Sequence, residues 1–334
     1  MRLVAWNALL TVILGLIALA GAEAYLRSTI GPMREGQLFE YRADSKRLKV
    51  MKPGMHMNIY GVEVQTNDLG FRDNRARVPP KAPGEFRIIV LGDSFTFGPG
   101  VDYEHLYTSL LREHLQRGHP QVTVINLAVE GYNIIQYAAV LEEVGLSLEP
   151  DALLVSLFPV NDFELDTYAA NYQLATGHPP AASWYEYLYV YRAYLHHAGQ
   201  VALKVLQKAV PSATADGPDY GWDKNIAALR EIAATTEAKG MPLTIALLPH
   251  TRGFRTQATI FGRINAYCRK SSLPCIDLLE PLRASGARDG ALALNAIDSH
   301  PNVEYNRFIA AQLAPRLEAV VAAAEHPSDA ALQN

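Results

Sequence analysis

Arg87-Ile-Ile-Val-Leu-Gly-Asp-Ser-Phe-Thr-Phe-Gly98 is the stretch on which the reading of this chain turns. An apolar, β-branched run of the length of a buried strand stops at a Gly-Asp-Ser turn. Ser94 therefore stands where an α/β sheet normally keeps its site. An unaided serine hydroxyl is a weak nucleophile, so a chemical role for Ser94 requires a base, an acid that orients the base, and donors for an oxyanion.

Working outward, apolar spacing places a strand at Phe86 to Leu91 and a helix at about His105 to Gln116, with Leu106, Leu110, Leu111 and Leu115 on one face. A second strand, Val122 to Leu127, ends at Ala128-Val-Glu-Gly131, and a helix from Asn133, its cap, runs to about Leu146. A third strand, Ala152 to Phe158, ends at Pro159-Val-Asn-Asp162. From Phe163 to Asp219 the rhythm lapses into a tyrosine-rich insertion (Tyr168, Tyr172, Trp184, Tyr185, Tyr187, Tyr189, Tyr191, Tyr194) that turns helical at about Gln200 to Val210. Aromatic packing is the first reading of this insertion, with a substrate wall or a membrane-facing surface as alternatives. The rhythm resumes with a helix near Trp222 to Thr236 stopped by Gly240, a strand at Leu243 to Leu248, a helix at about Gln257 to Lys270, a short strand at Cys275 to Asp277, and a last helix over about Val303 to Ala324. Strands alternating with helices argue an α/β fold, a parallel sheet with helices on both faces.

The flanks add an export signal. Leu3 to Ala22 is apolar apart from Asn7, Thr11 and Gly15, long enough to cross a bilayer, and preceded by Arg2. Ala20, Gly21, Ala22 and Ala24 also suit a cleavage site, so the segment reads as an uncleaved anchor or a cleaved signal, and in either case the rest of the chain is exported. The organisation that follows is 1–27 anchor or signal, 28–84 stalk and lead-in, 85–325 an α/β domain carrying the 163–220 insertion, and a polar tail at 326–334. Prolines at 32, 53, 79, 80 and 83 suggest irregular structure in the lead-in, with one short strand within Gly61 to Asp73 and a turn at Asn67 to Gly70. Cys268 and Cys275, the only cysteines, fit a small disulfide loop or a pair of buried thiols. A net charge of −4 provides no broad positive field for nucleic acid.

The base and its orienter are found in Asp298-Ser-His300-Pro-Asn302, directly before the last helix. Asp298 can hold one imidazole nitrogen of His300 while the other faces Ser94, and a histidine titrates near neutral pH. The same residues also fit a helix cap by Asp298 or Asn302 with an incidental histidine. For the oxyanion, the candidates are the Ser94 amide, the Gly131 amide and the Asn161 side-chain amide, each at a strand end. Gly131 as a plain turn residue and Asn161 as a cap are the alternatives. His250, in Pro249-His-Thr-Arg252 after the strand at 243–248, falls on the rim where a substrate would bind.

With those residues in place the chain resembles the SGNH, or GDSL, hydrolases, in the manner of bacterial membrane-anchored members. Gly92-Asp-Ser94 matches the first block of that family, Gly131 within Asn126-Leu-Ala-Val-Glu-Gly the second, Asn161-Asp162 the third and Asp298-Ser-His300-Pro-Asn the last; Thr66-Asn-Asp-Leu-Gly-Phe-Arg72 looks like a lead-in of bacterial members. The resemblance implies a flavodoxin-like three-layer α/β/α sandwich. It also implies a serine esterase with Ser94 as nucleophile, His300 as base, Asp298 as orienter and an oxyanion hole of Ser94, Gly131 and Asn161, needing no metal or cofactor. Two positions depart from the pattern: Val160 replaces the usual glycine before the asparagine, and Asp298 and His300 are two apart where many members have three.

Other chemistries lack their residues. No Gly-x-Ser-x-Gly elbow, phosphate loop or Gly-x-Gly-x-x-Gly is present, and the adjacent His196 and His197 would point apart on a helix. The expected function is hydrolysis of a small-molecule or glycan ester outside the cytoplasm, in the periplasm or at the cell surface. Acyl transfer to an envelope or exopolysaccharide glycan shares the acyl-serine intermediate, and a non-catalytic envelope binding protein is the third reading.

Overall fold

The computed structural model describes residues 2–30, 38–163, 172, 175–177, 188–191, 220–253, 257–295 and 298–325. Most of the tyrosine-rich insertion, including its expected helix at 200–210 and the His196–His197 pair, lies outside the described residues, as does the 326–334 tail.

The first helix, α1 (Arg2–Ile30), presents Trp6, Leu10, Leu16 and Ile17 to the outside, and its Trp6–Arg27 portion is long and apolar enough to cross a membrane. Its C-terminal end is tied down. Leu26 is buried, and the Glu23 carboxylate accepts from the amides of Tyr189 (3.0 Å) and Val190 (2.9 Å).

Where the prolines suggest irregular structure, the lead-in forms two antiparallel hairpins. They are β1 (Phe39–Arg42) with β2 (Leu48–Met51), and β3 (His56–Ile59) with β4 (Val62–Gln65). Four-residue strands are too short to show a period. The prolines fall between the elements, where they do not interrupt a ladder. Met51, Ile59, Val64 and Phe71 are buried in the main core.

The sheet follows as β5 (Phe86–Leu91), β6 (Val122–Asn126), β7 (Ala152–Leu157), β8 (Leu243–Leu247) and β9 (Cys275–Asp277), all parallel, in the order β6-β5-β7-β8-β9. Counted from β5, that is the flavodoxin-like 2-1-3-4-5 order, whose switch point lies between β5 and β7. Continuous burial explains the composition, since Ile88, Ile89, Val90, Leu153, Leu154 and Val155 are all within 1% of fully buried.

Between and after the strands come α2 (Ser94–Phe97), α3 (Tyr107–Gly118), α4 (Ile134–Glu143), α5 (Pro159–Asp162), α6 (Tyr220–Ala238), α7 (Ala258–Lys270), α8 (Leu279–Ala284) and α9 (Val303–Glu325). Ile88 and Val90 face a core built with α3 and α9, while Ile89 and Leu91 face one built with α4, α6 and α7. This is the three-layer sandwich. Ile309 and Leu313 of α9 are wholly buried, and truncating either to alanine costs about 2–5 kcal/mol. Asn133 caps α4 with a full capping box, but the helix stops at Glu143, because Val144 leaves helical geometry and a 3-10 turn replaces the last expected residues. Cys268 and Cys275 form a disulfide between α7 and β9.

Candidate active site

Parallel strands all end on one side, and the site is built there. After β5, Gly92 and Asp93 make the turn. A Cβ on Gly92 would lie 2.3 Å from Thr96 Oγ1, so only glycine fits, and the Asp93 carboxylate accepts from the Phe95 amide at 2.9 Å. Ser94 is thereby the first residue of α2, half-buried at the mouth of the switch point.

The strand on either side supplies a neighbour. Gly131 follows β6 with a φ of 66°, a left-handed conformation suited to glycine. Asn161 follows β7, and its Nδ2 donates to the Tyr132 carbonyl at 3.0 Å and approaches Asp93 Oδ2 at 3.5 Å. One side-chain amide thus bridges the residue after Gly131 and the residue before Ser94. Asn161 is not a helix cap; its amide ties the three strand ends together. Val160, in the position usually held by glycine, is 37% exposed and leaves this bridge intact.

Asp298 and His300 approach from the loop before α9. Asp298 Oδ1 accepts from the His300 amide at 2.8 Å and lies 2.7 Å from His300 Nδ1. Capping of α9 falls to Asn302, whose Oδ1 accepts from the Tyr305 amide at 3.1 Å, so Asp298 is left to the histidine. The His300 ring sits 6.0 Å from that of Phe95, the residue after Ser94. An ionised carboxylate only accepts, so the Nδ1 proton belongs to this bond and Nε2 is left as the basic nitrogen.

The electrostatics suit a base. Burial alone would lower His300, but the Asp298 hydrogen bond and charge, with Glu130 and Asp93 behind it, raise it above the ordinary histidine value. Burial alone would raise Asp298, yet the hydrogen bond and charge of His300, then Tyr60, hold it well below the usual carboxylate range. Asp93 and Asp162 are buried together. Both are pushed up by burial, and Asp162 is held by the Tyr137 hydroxyl (2.8 Å) and the Phe158 amide (2.7 Å).

His250, after β8, reaches the same rim. Phe95 stacks on Phe158 at 3.9 Å, and Phe158 lies 5.5 Å from the His250 ring. His250 Nδ1 lies between the Arg252 amide (2.9 Å) and the Arg252 carbonyl (3.1 Å), and Nε2 is left for the rim. Burial lowers this histidine and so favours its neutral form. Seven strand-end and loop residues thus converge: Ser94, Phe95, Gly131, Asn161, His250, Asp298 and His300.

Three residues that sequence reasoning passed over also belong here. Arg72, ending the Thr66–Arg72 lead-in, is 2% exposed and donates to the carbonyls of Phe97 (2.8 Å), Gly98 and Val101, clamping the loop after α2. Glu130 precedes Gly131, and burial raises its carboxyl, with the His300 charge opposing. Tyr60 stands at the tip of the β3–β4 hairpin, where burial and the nearby Asp298 carboxylate push its hydroxyl well above the ordinary tyrosine value. The recognisable lead-in motif marked only Arg72.

Comparison with known proteins follows the same outline. The profile of the GDSL-like Lipase/Acylhydrolase family matches residues 90–308. Among solved structures, the chain is similar to a GDSL-like lipase from Bacteroides thetaiotaomicron VPI-5482 (14% identity, TM-score 0.42, covering 72% of this chain and 92% of that one). It is also similar to a catalytic mutant of an acetylxylan esterase from Geobacillus stearothermophilus (18% identity, TM-score 0.41, covering 69% and 92%). No curated protein matches the chain. The family profile spans more than half of the 334 residues, from the end of β5 into α9, and the chain belongs to the GDSL-like lipase/acylhydrolase family, hydrolases that act on esters.

Proposed function

We propose that Ser94 attacks the carbonyl of an ester to form an acyl-enzyme, with His300 Nε2 taking the serine proton and then delivering it to the leaving alcohol. The observation that carries this reading is the 2.7 Å pairing of Asp298 with His300 Nδ1 beside Phe95. Asp298 fixes the tautomer and stabilises the imidazolium that forms. The Ser94 and Gly131 amides and the Asn161 side-chain amide receive the oxyanion, and water on the same imidazole releases the acyl group. His250 Nε2 is suited to hydrogen-bond a polar substrate group over the Phe95–Phe158 stack.

Three observations support placement of this chemistry outside the cytoplasm on a membrane anchor: the apolar Trp6–Arg27 span, its outward-facing side chains, and the Cys268–Cys275 disulfide. The test is hydrolysis of p-nitrophenyl acetate, butyrate and octanoate by the full chain in detergent, beside Ser94→Ala and His300→Ala. Turnover lost by about a thousandfold or more in both variants supports the reading. A folded wild type that is inert on every ester, or a Ser94→Ala variant as active as wild type, overturns it.

A further inference from the structure

Asp162 follows Asn161 directly, and the mechanism above gives it no part. It is wholly buried at the end of α5, and each of its carboxyl oxygens takes one donor. Oδ2 accepts from the Phe158 amide at 2.7 Å, and Oδ1 from the Tyr137 hydroxyl at 2.8 Å. The first bond folds the turn back on itself. The Phe158 carbonyl in its turn accepts from the amides of Asn161 and Asp162, both at 2.9 Å, so both backbone groups of Phe158 hold the far end of the Phe158–Asp162 turn. Val160 is helical within α5, and the turn therefore makes no demand for the glycine usual at that position.

The second bond ties the turn to its neighbour. Tyr137 is 1% exposed and lies one turn inside α4, whose start is set by the Asn133 capping box. Immediately before that cap stands Tyr132, whose carbonyl accepts from Asn161 Nδ2 at 3.0 Å. Two consecutive residues of one turn thus reach the same stretch of chain: Asn161 meets the backbone ahead of α4, and Asp162 meets a side chain within α4. A carboxyl is costly to bury, and this one is fully used, since it cannot rotate without breaking a bond on one side or the other.

We propose that Asp162 is a positioning residue for Asn161: its carboxyl locks the Phe158–Asp162 turn onto α4 and so sets where the Asn161 side-chain amide stands. Asp162 touches no substrate in this role and acts only through its neighbour. The inference rests on the oxyanion role of Asn161 proposed above, although the placement of the amide is readable without it.

Asp162→Ala removes both bonds. In the full chain in detergent, it is expected to lose about ten- to a hundredfold in kcat on p-nitrophenyl acetate with KM within about twofold, the cost of a misplaced group. In an Asn161→Ala background the same substitution should change kcat by less than about twofold, because the group it positions is gone. A role in stability alone would cost the same factor in both backgrounds. With asparagine labelled by nitrogen-15, the side-chain amide NMR signals of Asn161, assigned by their loss in Asn161→Ala, are expected to shift in Asp162→Ala. If Asp162→Ala shows no cooperative unfolding in urea, Tyr137→Phe takes its place in the kinetics and the spectra. That variant keeps the ring and releases only Oδ1, with an expected loss in kcat of about three- to tenfold. Where Asn161→Ala itself loses activity, an unchanged kcat in Asp162→Ala, or an equal loss in the two backgrounds, overturns the proposal. Unmoved amide signals overturn it in every case. Where Asn161→Ala is as active as wild type, or wild type is inert on esters, the oxyanion reading fails, and shifted signals leave the positioning contact standing.

Discussion

Asp298 meets His300 twice through a single oxygen: Oδ1 takes the His300 amide at 2.8 Å and faces its Nδ1 at 2.7 Å. The two-residue spacing makes this possible, because the backbone between them curls into a tight turn around the carboxylate. A spacing shorter than that of many relatives is therefore compatible with an oriented imidazole. It also leaves the pair dependent on local backbone geometry, which Thr251 reinforces by donating to the Ser299 carbonyl at 2.5 Å.

That pair fixes the expected pH dependence. His300 is raised above its unfolded value of about 6.5, so its contribution to stability is complete below about pH 6.5 and is lost as pH rises through the folded-state value. The neutral base appears over that same interval, so kcat/KM rises along an acid limb whose midpoint lies above about 6.5. Asp298→Asn removes the charge that holds the proton and should move the midpoint down while cutting kcat about a thousandfold or more. A pH–rate series on both proteins checks this. An acid limb that does not move in Asp298→Asn would remove Asp298 from the mechanism.

Asn161 gives a second expectation. Its amide bridges the loops after β5 and β6, so Asn161→Ala takes away the proposed oxyanion donor and a tie between strand ends at once. Loss of about a hundred- to a thousandfold in kcat is expected. Asn161→Asp should be worse, because a third carboxyl would join the buried Asp93 and Asp162. Steady-state kinetics on the two variants measure it, and equal activity in wild type and Asn161→Ala would exclude the amide from the oxyanion site.

The sheet was legible in the sequence, and most of the candidate site residues could be named from it, because both are marked by repeated strand ends. β-branched runs ending in Gly-Asp-Ser, Glu-Gly and Asn-Asp mark three strand ends, and helical spacing in α3 and α9 marks the layers. Legibility stopped where contacts are remote and elements short. Nothing near Tyr60 in the chain announces Asp298, and four-residue strands such as β3 and β4 carry no period to read. Glu130 carries no legible role in the Asn126–Gly131 stretch, since its proximity to His300 exists only in the folded chain.

Arg72 extends the argument to stability. Its guanidinium is buried, lies over the Phe97 ring at 5.4 Å, and donates to three carbonyls, of which that of Gly98 also accepts from the Val101 amide at 3.3 Å. Burial lowers its pKa to about 10, so it remains charged at neutral pH. Arg72→Met fills much of the volume but takes the guanidinium from the Phe97 and Val101 carbonyls, at a cost of about 2–4 kcal/mol. Urea denaturation of the two proteins reads it directly, and kcat should fall as well, because the clamped loop follows the Ser94 helix. A midpoint that does not change would mean that water serves the carbonyls equally well.

The Cys268–Cys275 bond offers a contrast, since it should matter for stability and not for chemistry. It joins the end of α7 to the start of β9, while the proposed catalytic residues gather at the opposite, carboxyl ends of the strands. Closing so short a loop restricts the unfolded chain modestly, about 2–3 kcal/mol in the chain-entropy account. Reduction with dithiothreitol and the double substitution Cys268→Ser, Cys275→Ser should therefore lower the denaturation midpoint by the same amount and leave kcat/KM within about twofold of wild type. Agreement between the two treatments separates loss of the bond from loss of the buried Cys268 thiol, which only the substitution removes. Reduction without any shift would mean that the cysteines are not bonded in the folded protein, and would withdraw one support for placing the domain in an oxidising compartment.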